Sequence, residues 1–192
     1  LSSIIIPSSV SVIGKCCFSE CPKLTDVIID VKNEHYLCDD GVIFNKERNK
    51  IVAYVANGTQ QSYTIPTSIN ELAEHCFECC SSVTSISIPT SVSKIGKECF
   101  SGCDRLRTIS IPTSVSCIDE CFSYCESLTS ISIPTSVGEI SDECFSYCHS
   151  LRTISIPTSV SKIGDECFRD CESLTHISIP TSVSYIGYEC FY

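Results

Sequence analysis

The chain has 192 residues, 43% of them apolar, enough to bury a sizeable core within one domain. Its 23 acidic against 13 basic side chains leave a formal net charge of −10, which argues against nucleic acid and against an anionic membrane surface, since both are held through Lys and Arg. No apolar run approaches a membrane span, and the 17 cysteines raise the question of a disulfide scaffold that only their spacing can answer.

From the first residue the chain reads as a block of spaced apolar positions: Leu1, Ile4, Ile6-Pro7, Val10, Ile13 and Phe18. The block restarts at Leu24 and Val27, then a longer stretch intervenes before the pattern returns at Tyr63 and Ile65-Pro66. Within that stretch, Asp40 to Asn45 and Ile51 to Val55 flank a polar turn over 46–50, which predicts a β-hairpin. The hairpin-bearing insertion is placed at 30–59. Beyond it Pro66, Pro89, Pro112, Pro134, Pro157 and Pro180 recur in steps of 23, 23, 22, 23 and 23. The short step comes from Ile118-Asp119-Glu120-Cys121, which has one residue fewer than its sisters.

Such self-similarity predicts a solenoid, because one repeat cannot bury its apolar side alone and stacking turns the columns into a continuous core. Within a repeat, residues 106–112 alternate apolar and polar and end at Pro112, which predicts a short strand closed by a residue that cannot donate to a ladder. In 164–171, Cys167, Phe168 and Cys171 are spaced for one or two helical turns with a buried side. The expected fold is a leucine-rich-repeat solenoid with one parallel strand per repeat, short helical or irregular turns, and the hairpin insertion. It forms a single array over 1–192. Both chain ends fall inside a repeat, so the array is expected to be a fragment of a longer one.

The pattern Leu-x-x-Ile-x-Ile-Pro-x-Ser-Val-x-x-Ile-Gly-x-x-Cys-Phe-x-x-Cys over 151–171 resembles the BspA-like leucine-rich repeat family of bacterial and protist surface proteins, and the insertion resembles one common in that family. One departure is systematic: the family usually has Ala before the Phe, and this chain has Cys. The resemblance implies a non-enzymatic protein-binding module at the cell surface or secreted, adhering to host or matrix proteins. The alternative is a cytoplasmic interaction scaffold with reduced thiols.

Seven cysteines precede the Phe column (Cys17, Cys76, Cys99, Cys121, Cys144, Cys167 and Cys190), and six lie four residues on (Cys21, Cys80, Cys103, Cys125, Cys148 and Cys171). A disulfide framework has no reason to follow the solenoid period, whereas a core position does, so these are expected to be buried thiols. None of the spacings is the paired kind that marks zinc, and no metal or cofactor site is expected. His35, His75, His149 and His176 read as drift at exposed repeat positions, and no catalytic constellation is present. Asp119-Glu120, Asp142-Glu143 and Asp165-Glu166, extended by Glu98 and Glu189, form an acidic edge that could take Ca²⁺ weakly.

The strand face turned from the core offers Thr84, Ser85 and Ser87; Arg107, Thr108 and Ser110; Thr129, Ser130 and Ser132; Arg152, Thr153 and Ser155; and Thr175, His176 and Ser178. This ladder is the expected protein-binding surface, with Arg107 and Arg152 as its strongest anchors. Asn57-Gly58-Thr59 matches an N-glycosylation acceptor.

Overall fold

The computed structural model describes residues 1–19, 21, 23–55 and 60–192. Asn57 lies outside them. β1 (Ser3–Ile6) and β2 (Asp26–Ile29) pair in parallel with Ile4 opposite Val27, as the repeat period requires. The insertion then forms β3 (Tyr36–Asp39), β4 (Val42–Asn45) and β5 (Lys50–Tyr54), with β4 antiparallel to both β3 and β5. The expected hairpin is β4–β5; β3 is an additional strand whose short run of mixed polarity carries no period-2 signal.

The remaining elements are β6 (Ser62–Thr64), β7 (Glu71–Leu72), β8 (Ser85–Ser87), β9 (Lys94–Ile95), β10 (Thr108–Ser110), β11 (Ser130–Ser132), β12 (Glu139–Ile140), β13 (Thr153–Ser155), β14 (Lys162–Ile163) and β15 (Tyr185–Ile186). They build two ladders. β6, β8, β10, β11 and β13 form a five-stranded parallel sheet from the expected strand of each repeat. The two-residue strands form a second ladder: β5, β7 and β9, then β12, β14 and β15. Its break falls at the coil with one residue fewer, where no strand is found at Cys117–Ile118.

The expected helical turns are corrected by the structure: among the described residues there is no helix. In five of the turn segments two residues sit at positive φ instead, and among the described residues the first and last segments show one each. Cys16, His75, Glu98, Glu120, Glu143, Glu166 and Glu189 hold the first position; Cys79, Gly102, Tyr124, Tyr147 and Asp170 hold the second. Left-handed residues cannot continue a right-handed helix. Their amides are turned along the stack and donate to the next coil, as in Glu143 to Asp165 O (2.8 Å) and Tyr147 to Arg169 O (2.8 Å). The amide between them does the same, Phe145 to Cys167 O at 2.9 Å. Coil-to-coil bonding therefore wins over helix bonding. In the short coil, Glu120 N–H donates instead to the Ser141 hydroxyl at 2.8 Å.

The Pro-x-Ser-Val motif is explained by two bonds. The Pro carbonyl accepts from the Val amide, as in Val160 to Pro157 at 3.1 Å, which closes a β-turn. The Ser hydroxyl donates to the preceding coil, Ser159 to Val137 O and Ser182 to Val160 O, both at 2.7 Å. Only glycine fits at 164, where a Cβ would lie 2.4 Å from the Asp142 nitrogen of the previous coil.

Inside, Phe77, Phe100, Phe122, Phe145, Phe168 and Phe191 stack at 5.5–5.6 Å, the last four pairs within 10° of parallel. Below Phe77 the stack continues into Tyr54 at 4.9 Å, not into Phe18. The insertion thus supplies the ring of its own coil.

Candidate functional site

The face predicted for binding is built by the five-stranded sheet, whose register places Ser85, Thr108, Ser130 and Thr153 in one row. Alternation turns Ile86, Ile109 and Ile131 inward and leaves their neighbours outward. Ser87, Thr108, Ser110, Thr129, Ser130, Ser132, Thr153 and Ser155 are exposed, as are Arg107 and Arg152; Thr84 and Ser85 are half-buried. Thr175, His176 and Ser178 are exposed but follow the last strand of the sheet. The first row is partly used in holding coils together: Thr84 Oγ1 donates to Gln61 O at 2.8 Å and Thr129 Oγ1 to Arg107 O at 3.4 Å. Among the described residues neither Arg107 nor Arg152 has an ion-pair partner, so both guanidinium forks are available to a ligand.

The acidic edge lies on the turn side, and it is not bare. Lys97 pairs with Glu120 at 2.9 Å and Glu98 at 3.8 Å, and Arg169 pairs with Glu166 at 2.5 Å and Glu189 at 4.0 Å. Within that column Glu143 alone has no cation beside it among the described residues, and burial followed by the charges of Glu120 and Glu166 pushes its carboxyl above the ordinary value. Among the described residues, no three carboxylates gather as a hard cation requires.

Sequence reading missed an aromatic patch on the same side. Tyr124 and Tyr147 stack at 4.5 Å, and the Arg169 guanidinium lies 6.0 Å from the Tyr147 ring and 5.5 Å from that of Tyr192. Tyr124 and Tyr147 share one repeat column, and that recurrence was the available signal.

The thiol columns are buried from Cys76 to Cys190, apart from half-buried Cys171. Several of these thiols reach back one coil to a backbone carbonyl, among them Cys103 to Phe77 O (3.1 Å), Cys125 to Phe100 O (3.2 Å), Cys148 to Phe122 O (3.2 Å) and Cys144 to Ile118 O (3.1 Å), while Cys76 and Cys99 bond to each other at 3.5 Å. A small weak donor that fills the core and caps a carbonyl explains Cys where Ala would only fill it. Labelling the native chain with an alkylating reagent in the presence of a chelator should modify the four exposed cysteines, Cys16, Cys17, Cys79 and Cys117. The ten buried ones should react only after unfolding, without reductant. Mass spectrometry that finds them still blocked in the unfolded, unreduced chain would establish disulfides instead.

A cleft of about 480 Å³ opens between the insertion and the second ladder, lined by Tyr36, Lys50, Glu71 and Lys94 among others. Glu71 bridges Lys50 (2.8 Å) and Lys94 (3.0 Å). Burial raises its carboxyl, but the two lysine hydrogen bonds outweigh that and leave it below the ordinary value. Its charges are already paired, which leaves it little to offer a substrate.

The reading of the histidines as exposed drift needs correction at two positions: His149 is half-buried beside Tyr147, and His75 departs further. His75 is half-buried, its Nδ1 shut from solvent and 3.6 Å from both Glu78 and Glu98. Beside it stands Cys16, whose thiol is pushed up to about 11 by partial burial and by its hydrogen bond to Glu78. Cys16 and His75 are 59 positions apart, so spacing along the chain could not reveal the cluster.

The profile of the BspA type leucine rich repeat region matches in six copies, over 1–38, 41–121 and 116–192. A leucine rich cell surface protein from Faecalibacterium prausnitzii superposes with a TM-score of 0.82 at 30% identity, over 98% of this chain and 48% of that one. Leucine-rich repeat proteins from Bacteroides ovatus (0.72, 27%, over 100% and 46%) and Eubacterium ventriosum (0.77, 23%, over 97% and 57%) are also similar, the latter showing the fold alone. The chain spans about half the length of these three solved structures. No curated protein matches it.

Proposed function

We propose that this chain, which belongs to the BspA type leucine-rich repeat family, acts as a protein-binding module at the cell surface, holding a host or matrix protein on its five-stranded face. The observation that carries this is the exposed, in-register polar ladder with two guanidinium groups that have no ion-pair partner among the described residues. Extended sheet faces of stacked repeats are suited to proteins rather than small molecules. Placement at the surface is supported by the cell-surface description of the Faecalibacterium relative. Binding rather than catalysis is supported by a flat face made mostly of Ser and Thr, with no cleft among its described residues to hold a reacting group.

Arg107 and Arg152 lie two coils apart, which places them about 10 Å from each other. Two forks at that spacing fit two acidic groups on one partner. Replacing both with Ser should leave the circular dichroism spectrum unchanged and weaken binding to immobilised matrix proteins by at least about tenfold, the scale of one lost hot spot. Tyr124→Ser with Tyr147→Ser is the comparison. If the tyrosine pair abolishes binding and the arginine pair is silent, the partner sits on the turn side and the strand-face assignment fails.

A further inference from the structure

Coil stacking produces one group of donor atoms that the repeat does not account for. Cys16, His75 and Glu78 each contribute a ligand-type atom, and these three atoms lie within 4.8 Å of one another. They meet where the insertion interrupts the stack. Tyr54, at the end of β5, donates its amide to Cys76 O, and the turn over 14–19 lies across 52–54 against 74–78. Among the described residues no backbone hydrogen bond joins the first turn to the segment 74–80. Side chains make that join: Lys15 to Glu74, and Ser19 Oγ to Glu78 at 2.7 Å.

His75 Nδ1 is buried and has no hydrogen-bond partner, a costly state for a polar atom. The two carboxylates around it stand at 3.6 Å, too far to accept a hydrogen bond. The distance is close to another geometry. Zinc–nitrogen and zinc–oxygen bonds of about 2.0–2.2 Å at a tetrahedral angle put neighbouring ligands roughly 3.4 Å apart. A thiol, an imidazole and a carboxylate form the mixed donor set that selects zinc; calcium and magnesium take oxygens only.

From this geometry we propose that Cys16, His75 and Glu78 bind one Zn²⁺, with water in the fourth position, and that the metal staples the first coil to the array across the insertion. Binding exchanges the Cys16 thiol proton for the metal: the S–H bond breaks, an S–Zn bond forms and the proton leaves to solvent. Glu78, which accepts that proton's hydrogen bond in the metal-free site, becomes a ligand. Cys16 comes from the first turn and His75 and Glu78 from the segment 74–80, so the metal ties together two turns that no backbone hydrogen bond joins among the described residues.

The test titrates Zn²⁺ alone into the whole chain after a chelator has stripped it. One equivalent should bind, and thermal unfolding should shift upward with it. Co²⁺ in its place should show a sulfur-to-cobalt charge-transfer band and the strong visible bands of a tetrahedral site. Cys16→Ser, at an exposed position, and His75→Asn, which tolerates the positive φ, should each weaken binding by at least about tenfold. Both should abolish the charge-transfer band or the tetrahedral spectrum. Cys117→Ser, at an exposed cysteine outside the cluster, should bind as the native chain does. Glu78→Gln keeps the side-chain shape and provides a third reading should His75→Asn fail to fold. The proposal is overturned if the stripped chain binds no Zn²⁺, or if Cys16→Ser and Glu78→Gln bind it as tightly as the native chain.

Discussion

Raising the pH from 8 to about 10.5 should unfold the array, because its core is filled with thiols that cannot ionise where they are. Burial pushes Cys144 from an ordinary 9.0 to about 12, and pushes Cys80, Cys99, Cys121, Cys125, Cys148 and Cys167 up as well, with neighbouring thiols adding to the effect; at Cys80 the hydrogen bond with Cys103 comes first. These groups have a folded pKa above the unfolded one. Their contribution is therefore fully present below pH 9 and is lost as pH rises from there toward the folded values. At pH 10, above the ordinary thiol value, each such thiol favours the unfolded chain by on the order of 1 kcal/mol. Seven of them together are comparable with the stability of an ordinary domain. Far-ultraviolet circular dichroism against pH reads the collapse. Cys144→Ala with Cys167→Ala should move the midpoint upward by reducing the slope. A chain that keeps its spectrum to pH 11, or a double variant with an unmoved midpoint, would show that the thiols do not govern alkaline stability.

Phe145→Ala should be the most damaging single truncation. The ring has no exposed surface and is stacked between Phe122 at 5.5 Å and Phe168 at 5.6 Å, nearly parallel to both. Removing it deletes a large buried group, leaves a cavity that stacked coils cannot close, and breaks two aromatic contacts, for about 3–5 kcal/mol. Ser132→Ala, on the exposed face of the same coil, should change stability by no more than about 0.5 kcal/mol. Chemical denaturation of the two variants decides the matter. Equal losses would mean that the two sides of the sheet have been exchanged.

The core of the regular coils was legible from the sequence because its inward residues recur at the coil period. Leu128, Ile131, Val137, Ile140 and Phe145 are buried where their columns predict. The second ladder was not legible, since strands of two residues such as β12 and β14 are too short to show a period. The helical spacing of Cys167, Phe168 and Cys171 was a false signal. One inward side in a chain of turns gives the same spacing, and the positive φ of Glu166 and Asp170 excludes the helix. The acidic column was visible as composition, but not its neutralisation by Lys97 and Arg169, which depends on how long side chains reach across coils. Tyr54 was visible only as part of a hairpin. That it replaces Phe18 beneath Phe77 follows from the insertion taking over the inside of its coil. The same replacement brings Cys16 against His75, a neighbour relation that no fixed period contains.

The pairing of β1 with β2 alone, separate from the sheet that begins at β6, makes the array mechanically uneven. A pull along the stack peels coil from coil, so each junction carries the whole load and the weakest one parts first. From β6 to β13 every junction is tied by a strand ladder, by the turn-side amides and by continuous ring stacking. At the insertion the turn-side amides are replaced by a few side chains, and the core itself divides, with Leu24 and Val27 packed on Ile43 and Val55 apart from the main column. A tether drawn tight would open there, letting the first two coils swing away while the surface carrying Arg107 and Arg152 stays in one piece.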